Sequence, residues 1–321
     1  MSEHKIWLVG AGQMALEYVR VLKELPCEFI VIGRGESSAT AFEQKAGVPV
    51  ICGGLEQHLR KAGEPPEMAI LAAGVLDLAE NARLMMNAGI KRILLEKPGG
   101  INYAEIETLS RQADLTGCDI FVAYNRRFYT SVFEAEKYIK EDGGVESFQF
   151  DFTEWSSSIE KLNKPEKELN GWLLTNSGHV LDMAFFMGGE PQKLESFVSG
   201  HLPWHPAGSV FAGAGIAING ALFSYHANWG SAGRWGVEIN TPKRKLIFRP
   251  LEKLQVMLKD SVVIDLMDLD YSLDINYKPG VYLQTQAFLD KEDKRFLTIQ
   301  EQLERMKWYY KIMNVIPDAG S

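Results

Sequence analysis

The sequence predicts an α/β chain of two domains. A doubly wound parallel sheet is expected over residues 1–124, and an α+β domain with a large, open, mainly antiparallel sheet over residues 125–321. Three observations predict this. Short apolar runs alternate with helical patterns through the first 124 residues, the alternation gives way to strand after strand beyond Tyr124, and a glycine turn, Gly10-Ala11-Gly12-Gln13-Met14-Ala15, stands between the first strand and the first helix. With 321 residues, 46% hydrophobic and 24% charged, the chain is long enough for each domain to hold its own core.

In the first domain, apolar runs at residues 6–9, 28–32, 48–52, 68–73, 92–95 and 119–123 read as strands, and the segments 14–25, 39–45, 55–61, 77–88 and 103–116 carry helical spacing. Strands alternating with helices make βαβ units with right-handed connections, and six strands complete a doubly wound sheet. After Tyr124 the pattern gives a helix over 131–140, a strand over 145–155, a polar loop over 156–170 and a helix over 172–187. Strands then follow in series at 194–200, 210–217, 221–228, 235–240, 245–248, 254–258 and 262–266. Helices over 281–290 and 299–315 finish the chain, the second with Thr298 as N-cap and Glu301 three residues on, a capping-box pattern. No internal repeat or low-complexity segment is present.

A formal charge of −8 arises from 34 basic and 42 acidic side chains spread along the chain, without the Lys/Arg stripe that a nucleic-acid surface needs. No run approaches the length of a membrane span, and Met1-Ser2-Glu3-His4-Lys5 leads into the first strand without a signal-peptide pattern, so a cytoplasmic protein is expected. Cys27, Cys52 and Cys118 are odd in number and widely spaced, which suits reduced, buried thiols. His201 and His205 frame Leu202-Pro203-Trp204, but the prolines oppose a helix and no third ligand is evident, so no metal is expected. Phe223, Tyr225, Trp229 and Trp235 either fill the core or form a sheet-to-sheet interface that would make a homodimer or homotetramer.

The glycine turn gains its meaning from its place in the first βα connection. Gly10 permits the tight turn, Gly12 lets the backbone approach a pyrophosphate, Ala15 allows close helix packing, and the helix N-terminus faces the phosphates, the arrangement of a Rossmann domain. Gln13 and Met14 open that helix, and Ala73-Gly74, at the end of the fourth strand, lie at the same carboxyl edge, so both pairs join the expected cofactor contacts. At the end of the second strand, Ile32-Gly33-Arg34-Gly35-Glu36-Ser37-Ser38 has no carboxylate for a ribose. Arg34, Ser37 and Ser38 instead suit a 2′-phosphate, which favours NADP(H); Glu36 on a longer loop keeps NAD(H) as the alternative.

Glu96-Lys97-Pro98-Gly99-Gly100 follows the fifth strand, again at the edge where open α/β sheets bind ligands, with Pro98 fixing how Lys97 is presented. The chain here resembles the glucose-fructose oxidoreductase and inositol dehydrogenase (Gfo/Idh/MocA) family of NAD(P)-dependent sugar oxidoreductases. The resemblance rests on residues 10–15, on Glu96-Lys97-Pro98-Gly99-Gly100, on Tyr124-Asn125-Arg126-Arg127-Phe128 and on Ser177-Gly178-His179-Val180-Leu181-Asp182. It implies a hydride transferred between the nicotinamide and a sugar, cyclitol or nucleotide-sugar carbon, with Lys97 as the catalytic lysine and His179 as the histidine of the second domain. Glu96, Pro98 and Asn125 would then lie with the cofactor.

One departure stands out. Thr175 occupies the place, four residues before His179, where the family often carries aspartate; Asp182 lies three residues after His179 on the same helical side. Asn176, Arg126 and Trp172, with Trp155, are the remaining candidates for a sugar-like substrate, and Arg126 or Arg127 either holds a substrate phosphate or carboxylate or forms a salt bridge between domains. Two other readings follow from the departure and the fold: a cofactor-binding regulator or sensor without dehydrogenase activity, and an imine- or tetrapyrrole-type reductase.

Overall fold

A computed structural model describes residues 4–316 of the chain. It begins with β1 (His4–Val9), α1 (Gln13–Leu22), β2 (Cys27–Ile32), α2 (Glu36–Ala46), β3 (Val50–Ile51), α3 (Gly54–Leu59), β4 (Met68–Leu71), α4 (Leu78–Asn87), β5 (Arg92–Glu96), α5 (Tyr103–Thr116) and β6 (Asp119–Ala123). There follow α6 (Thr130–Asp142), β7 (Ser147–Asp151), the short helices α7 (Ser156–Ile159) and α8 (Glu166–Asn170), and α9 (Gly178–Gly188). The strands β8 (Pro191–Ser199), β9 (Val210–Ala217), β10 (Leu222–Asn228), β11 (Gly236–Asn240), β12 (Arg244–Phe248), β13 (Gln255–Leu258) and β14 (Ile264–Leu266) come next. The described chain ends with α10 (Ser272–Asn276), α11 (Val281–Leu289), β15 (Leu297–Thr298) and α12 (Ile299–Met313).

The first compact unit comprises the described chain up to Asn125 together with Leu273–Glu304. Its sheet runs β15-β6-β5-β4-β1-β2-β3, parallel throughout except for β15, which pairs antiparallel with β6. Strands β4 and β5 are buried along their whole length, as interior parallel strands covered on both faces must be. The expected boundary after Tyr124 differs from this division, which keeps Asn125 and Leu273–Glu304 with the first unit. Leu297–Thr298 extends the sheet edge, and α11 lies against α1. Thr298 and Glu301 form the capping box read from the sequence, with the Thr298 N–H donating to the Glu301 carboxylate (2.8 Å) and the Glu301 N–H to Thr298 Oγ1 (3.2 Å). The thiols depart from expectation, since only Cys118 is buried, where desolvation pushes its pKa up to about 12, whereas Cys52 is exposed.

The second unit comprises Arg126–Ser272 and the described residues from Arg305 on. Its sheet runs β14-β13-β12-β11-β7-β10-β9-β8, with β7 and β10 parallel and every other neighbour antiparallel. Helix α9 covers one face, where Phe185 meets Phe148, Phe150 and Phe223 at ring separations of 5.5–6.5 Å. Phe223, Tyr225, Trp229 and Trp235 are all buried in this unit. They fill its core and are not available for a sheet-to-sheet interface, because inward and outward positions alternate along each strand. Among the described residues no helix is long and apolar enough to cross a membrane.

Trp229 stacks on Trp204 at 5.7 Å, and both enclose the ring of His205, whose Nδ1 lies 2.9 Å from the Gly208 carbonyl. Burial lowers the pKa of His205 from its ordinary 6.5. The unfolded chain therefore binds this proton more readily than the folded one, so the contribution is intact above the unfolded pKa and is lost as pH falls below it. Denaturant midpoints measured on either side of pH 6.5 should drop on the acid side, and the part due to His205 should vanish in His205→Gln.

Candidate dinucleotide and substrate sites

The first unit holds a cavity of about 740 Å3 at the carboxyl ends of β1, β2 and β4. Gly10 (φ +123°) turns the chain out of β1. A Cβ there would lie 2.3 Å from the Ala72 carbonyl oxygen, so only glycine fits. Gly12 is the N-cap residue of α1, and a Cβ at Gly12 would meet nothing within 4 Å, leaving the first turn of a ten-residue helix open to a ligand. Free N–H groups and the helix dipole at such a terminus suit a pyrophosphate. Gln13, Met14, Ala73 and Gly74 line the same cavity, as the sequence suggested. Gly10→Val is expected to abolish dinucleotide binding in a fluorescence titration and to lower stability by more than 1 kcal/mol or so, since the side chain meets backbone.

At the end of β2, Arg34 and Ser38 line the cavity and Ser37 does not, being exposed in the first turn of α2. Ser38 Oγ donates to the Gly35 carbonyl (2.9 Å), and Arg34 Nη1 lies 3.1 Å from Asp77 Oδ1, a partner 43 residues away that no local motif marks. This pair is largely exposed, so it orients the guanidinium more than it neutralises it.

The turn after β5 is a separate, tightly built corner of the same unit. Glu96 is buried and accepts a hydrogen bond from Tyr18 (2.8 Å). Burial pushes the Glu96 carboxyl up, against the opposing pull of the Tyr18 hydrogen bond and the nearby Lys97 and Lys278. Tyr18 itself is raised well above 10, by burial first and by Glu96 second. The Pro98 carbonyl accepts from Gln302 (3.0 Å), Gly99 N–H closes the turn onto the Glu96 carbonyl (3.1 Å), and Asn125 Nδ2 donates to the Pro279 carbonyl (2.8 Å). Lys97 is half-buried at this anchored turn. Glu96, Lys97, Pro98 and Asn125 therefore form one corner, distinct from the residues that line the glycine-turn cavity.

In the second unit, residues 173–177 form a π-helical turn that runs into α9 and carries Thr175 and Asn176 ahead of His179. Turns of this kind are rare and occur often at functional sites. Asp182 does not stand in for the missing aspartate. It is fully buried and bound by Arg127 (Nε to Oδ2 3.0 Å, Nη2 to Oδ1 2.8 Å) and by Arg305, which also grips Glu190. Arg127 is thus committed to an ion pair, and that pair lies within the second unit instead of linking two domains. Trp172 is likewise buried, edge-on to Trp204 at 6.0 Å, so it packs and does not offer a face to a sugar.

The carboxylate beside the π-turn comes from elsewhere. Glu154, three residues past β7, is 2% exposed; its Oε1 accepts from Asn176 Nδ2 (2.9 Å) and Ser177 Oγ (2.6 Å), and its Oε2 from Arg234 Nη1 (3.3 Å). Burial raises its pKa, opposed by those same partners. Sequence reading missed Glu154 and Arg234, which lie 80 residues apart. Neither belongs to a motif, and only the sheet register brings them together: Gly236 of β11 pairs with Asp151 of β7, so the residues before β11 adjoin those after β7.

No family model matches the chain. A curated relative, trans-1,2-dihydrobenzene-1,2-diol dehydrogenase of Bos taurus, is 24% identical over 199 residues, which are 59% of this chain and 58% of that protein. The match thus spans less than two thirds of that relative's length. Solved structures agree over almost the whole chain. Levoglucosan dehydrogenase, in complex with NADH and L-sorbose, superposes with a TM-score of 0.79 at 18% identity, covering 98% of this chain and 96% of that one. An oxidoreductase from Agrobacterium radiobacter, in complex with NAD+, L-tartaric acid and magnesium, gives 0.75 at 15% identity, covering 96% and 94%. The chain shares the fold of these oxidoreductases across both units. The resemblance drawn from the glycine turn and from Glu96-Lys97-Pro98 is borne out in the architecture of both units.

Proposed function

We propose that the protein is an NAD(P)-dependent oxidoreductase acting on a carbinol or keto carbon of a sugar, cyclitol or nucleotide-linked sugar. The observation that carries this reading is the glycine turn: a forced Gly10 and an open Gly12 at the N-terminus of α1, lining a cavity of about 740 Å3. Gly10, Gly12, Gln13, Met14, Ala73 and Gly74 would hold the dinucleotide there. When bound, the nicotinamide gives or takes the hydride. Lys97 exchanges the proton of the reacting hydroxyl, presented by a turn that Tyr18, Glu96 and Gln302 anchor. His179 and Asn176 hydrogen-bond the substrate, with Glu154 orienting Asn176. The sugar class draws support from the sugar and sugar-acid ligands of the structural neighbours, and the CH–OH chemistry from the place of Lys97 on this anchored turn. The reading also places the enzyme in the cytoplasm, where an exposed thiol such as Cys52 stays reduced.

Arg34 and Ser38, at the cavity wall, support NADP(H) over NAD(H). KM for NADP+ should be below that for NAD+, and Arg34→Ala should erase the difference; a preference of about tenfold for NAD+ rejects the assignment. Reduction of either cofactor by members of a panel of sugars, cyclitols and nucleotide sugars tests the activity itself. Homo-oligomerisation belongs to the same reading, now through the uncovered face of the second sheet, where Phe197 and Leu222 stand beside Gln149, Ser224, His226 and Glu238. A clean monomer in sedimentation at micromolar concentration would remove it.

A further inference from the structure

At the end of the second sheet where β7 finishes and β11 starts, two arginines and two tryptophans gather near His179. The Arg234 guanidinium lies 4.3 Å from the centre of the Trp235 ring and 4.6 Å from that of Trp155. The Arg126 guanidinium lies 5.0 Å from the Trp235 ring and 6.0 Å from that of Tyr129, and the His179 ring is 6.5 Å from Trp235. Trp155 is 55% exposed, held in place by an indole N–H donated to the Gly233 carbonyl (2.9 Å).

The charges here do not balance. Glu154 pairs with Arg234 and spends its other oxygen on Asn176 and Ser177. Arg126 makes no ion pair and no side-chain hydrogen bond among the described residues; it is half-buried, and its Nε is wholly buried without a partner. A guanidinium taken partly out of water without a counter-ion is costly, and ring faces return only part of that cost. The other buried arginines of this unit, Arg127 and Arg305, each have a carboxylate. Arg126 is the exception, and it shares an aromatic platform with a second cation.

We propose that Arg126 and Arg234 bind an oxyanion carried by the substrate, a carboxylate or a phosphate on a sugar, with the exposed Trp155 ring against the sugar face. Guanidinium forks match such oxyanions in shape as well as charge, and an aromatic ring beside them accepts the apolar face of a pyranose. The anion replaces the counter-ion that Arg126 lacks. Its place beside Trp235 and His179 makes it a specificity determinant of the site, and to that extent the proposal rests on the oxidoreductase reading.

Calorimetric titration of the protein, saturated with NADPH or NADH, with glucuronate, glucose 6-phosphate and glucose tests this without requiring turnover. At least one of the two anions is expected to bind about tenfold or more tightly than glucose, with the preference weakened by added salt. Which anion it is separates a carboxylate site from a phosphate site. Arg126→Gln and Arg234→Gln should each collapse the preference, while Lys137→Gln, an exposed charge elsewhere in the unit, should not. Equal affinity for all three ligands, no binding of either anion, or a preference that survives both arginine substitutions overturns the proposal. Cofactor reduction measured alongside separates the two ideas: neutral sugars oxidised with no anion preference leave the oxidoreductase reading standing without this site, and anion preference without any reduction does the reverse.

Discussion

Lys97→Ala is expected to lower kcat by about a hundred- to ten-thousandfold, the range over which a positioned proton donor or acceptor contributes. Dinucleotide affinity should stay close to that of the unaltered protein, because the cavity beside α1 is lined by other residues. The turn that carries Lys97 is held by contacts that do not use its side chain, the Gln302 bond to the Pro98 carbonyl and the Gly99 N–H bond to the Glu96 carbonyl, so removing the ammonium leaves the turn intact. Steady-state kinetics together with a nicotinamide fluorescence titration separate the two effects. Lys97→Arg should not restore the rate, since a guanidinium does not exchange its proton near neutral pH. Unchanged turnover in Lys97→Ala would remove the lysine from the chemistry.

Asp182→Ala should be the most damaging single change to stability, costing about 3–5 kcal/mol, because it leaves two buried arginines without their shared carboxylate. Arg305 keeps Glu190, whereas Arg127 loses its carboxylate partner in Asp182. A lowered midpoint in chemical denaturation checks this. A loss below about 1 kcal/mol, the level of an ordinary surface ion pair, would mean that water or other groups already satisfy the cluster. The prediction also separates Asp182 from His179: the aspartate acts on stability, whereas the role proposed for the histidine is toward substrate.

Much of this fold is legible in the sequence because its signals are local. The apolar runs of β4 and β5, the glycine turn before α1 and the Thr298/Glu301 box each lie within a few residues and mean the same thing in any context. What was not legible depends on distance along the chain. β15 is two residues long and carries no periodicity, so nothing near Leu297–Thr298 indicates that the chain returns to the first sheet. The turn over 173–177 has the composition of an ordinary helix, and its widened hydrogen bonding appears only in the fold. Asp182 sits on the His179 side of α9 by spacing, yet two arginines distant in sequence claim it. Glu154, Arg234, Tyr18 and Lys278 belong to no motif, and their roles come from burial and register that link positions far apart.

The fold and the glycine-turn cavity together make hydride transfer to a nicotinamide cofactor the central claim. Absorbance of the reduced nicotinamide, followed after the protein is mixed with NADP+ or NAD+ and each member of a panel of neutral and acidic sugars, tests it most directly. The account predicts that absorbance grows with at least one sugar and that Lys97→Ala removes the growth. No change with any sugar, while the same preparation demonstrably binds the cofactor, would contradict it and leave a dinucleotide-binding protein without dehydrogenase chemistry.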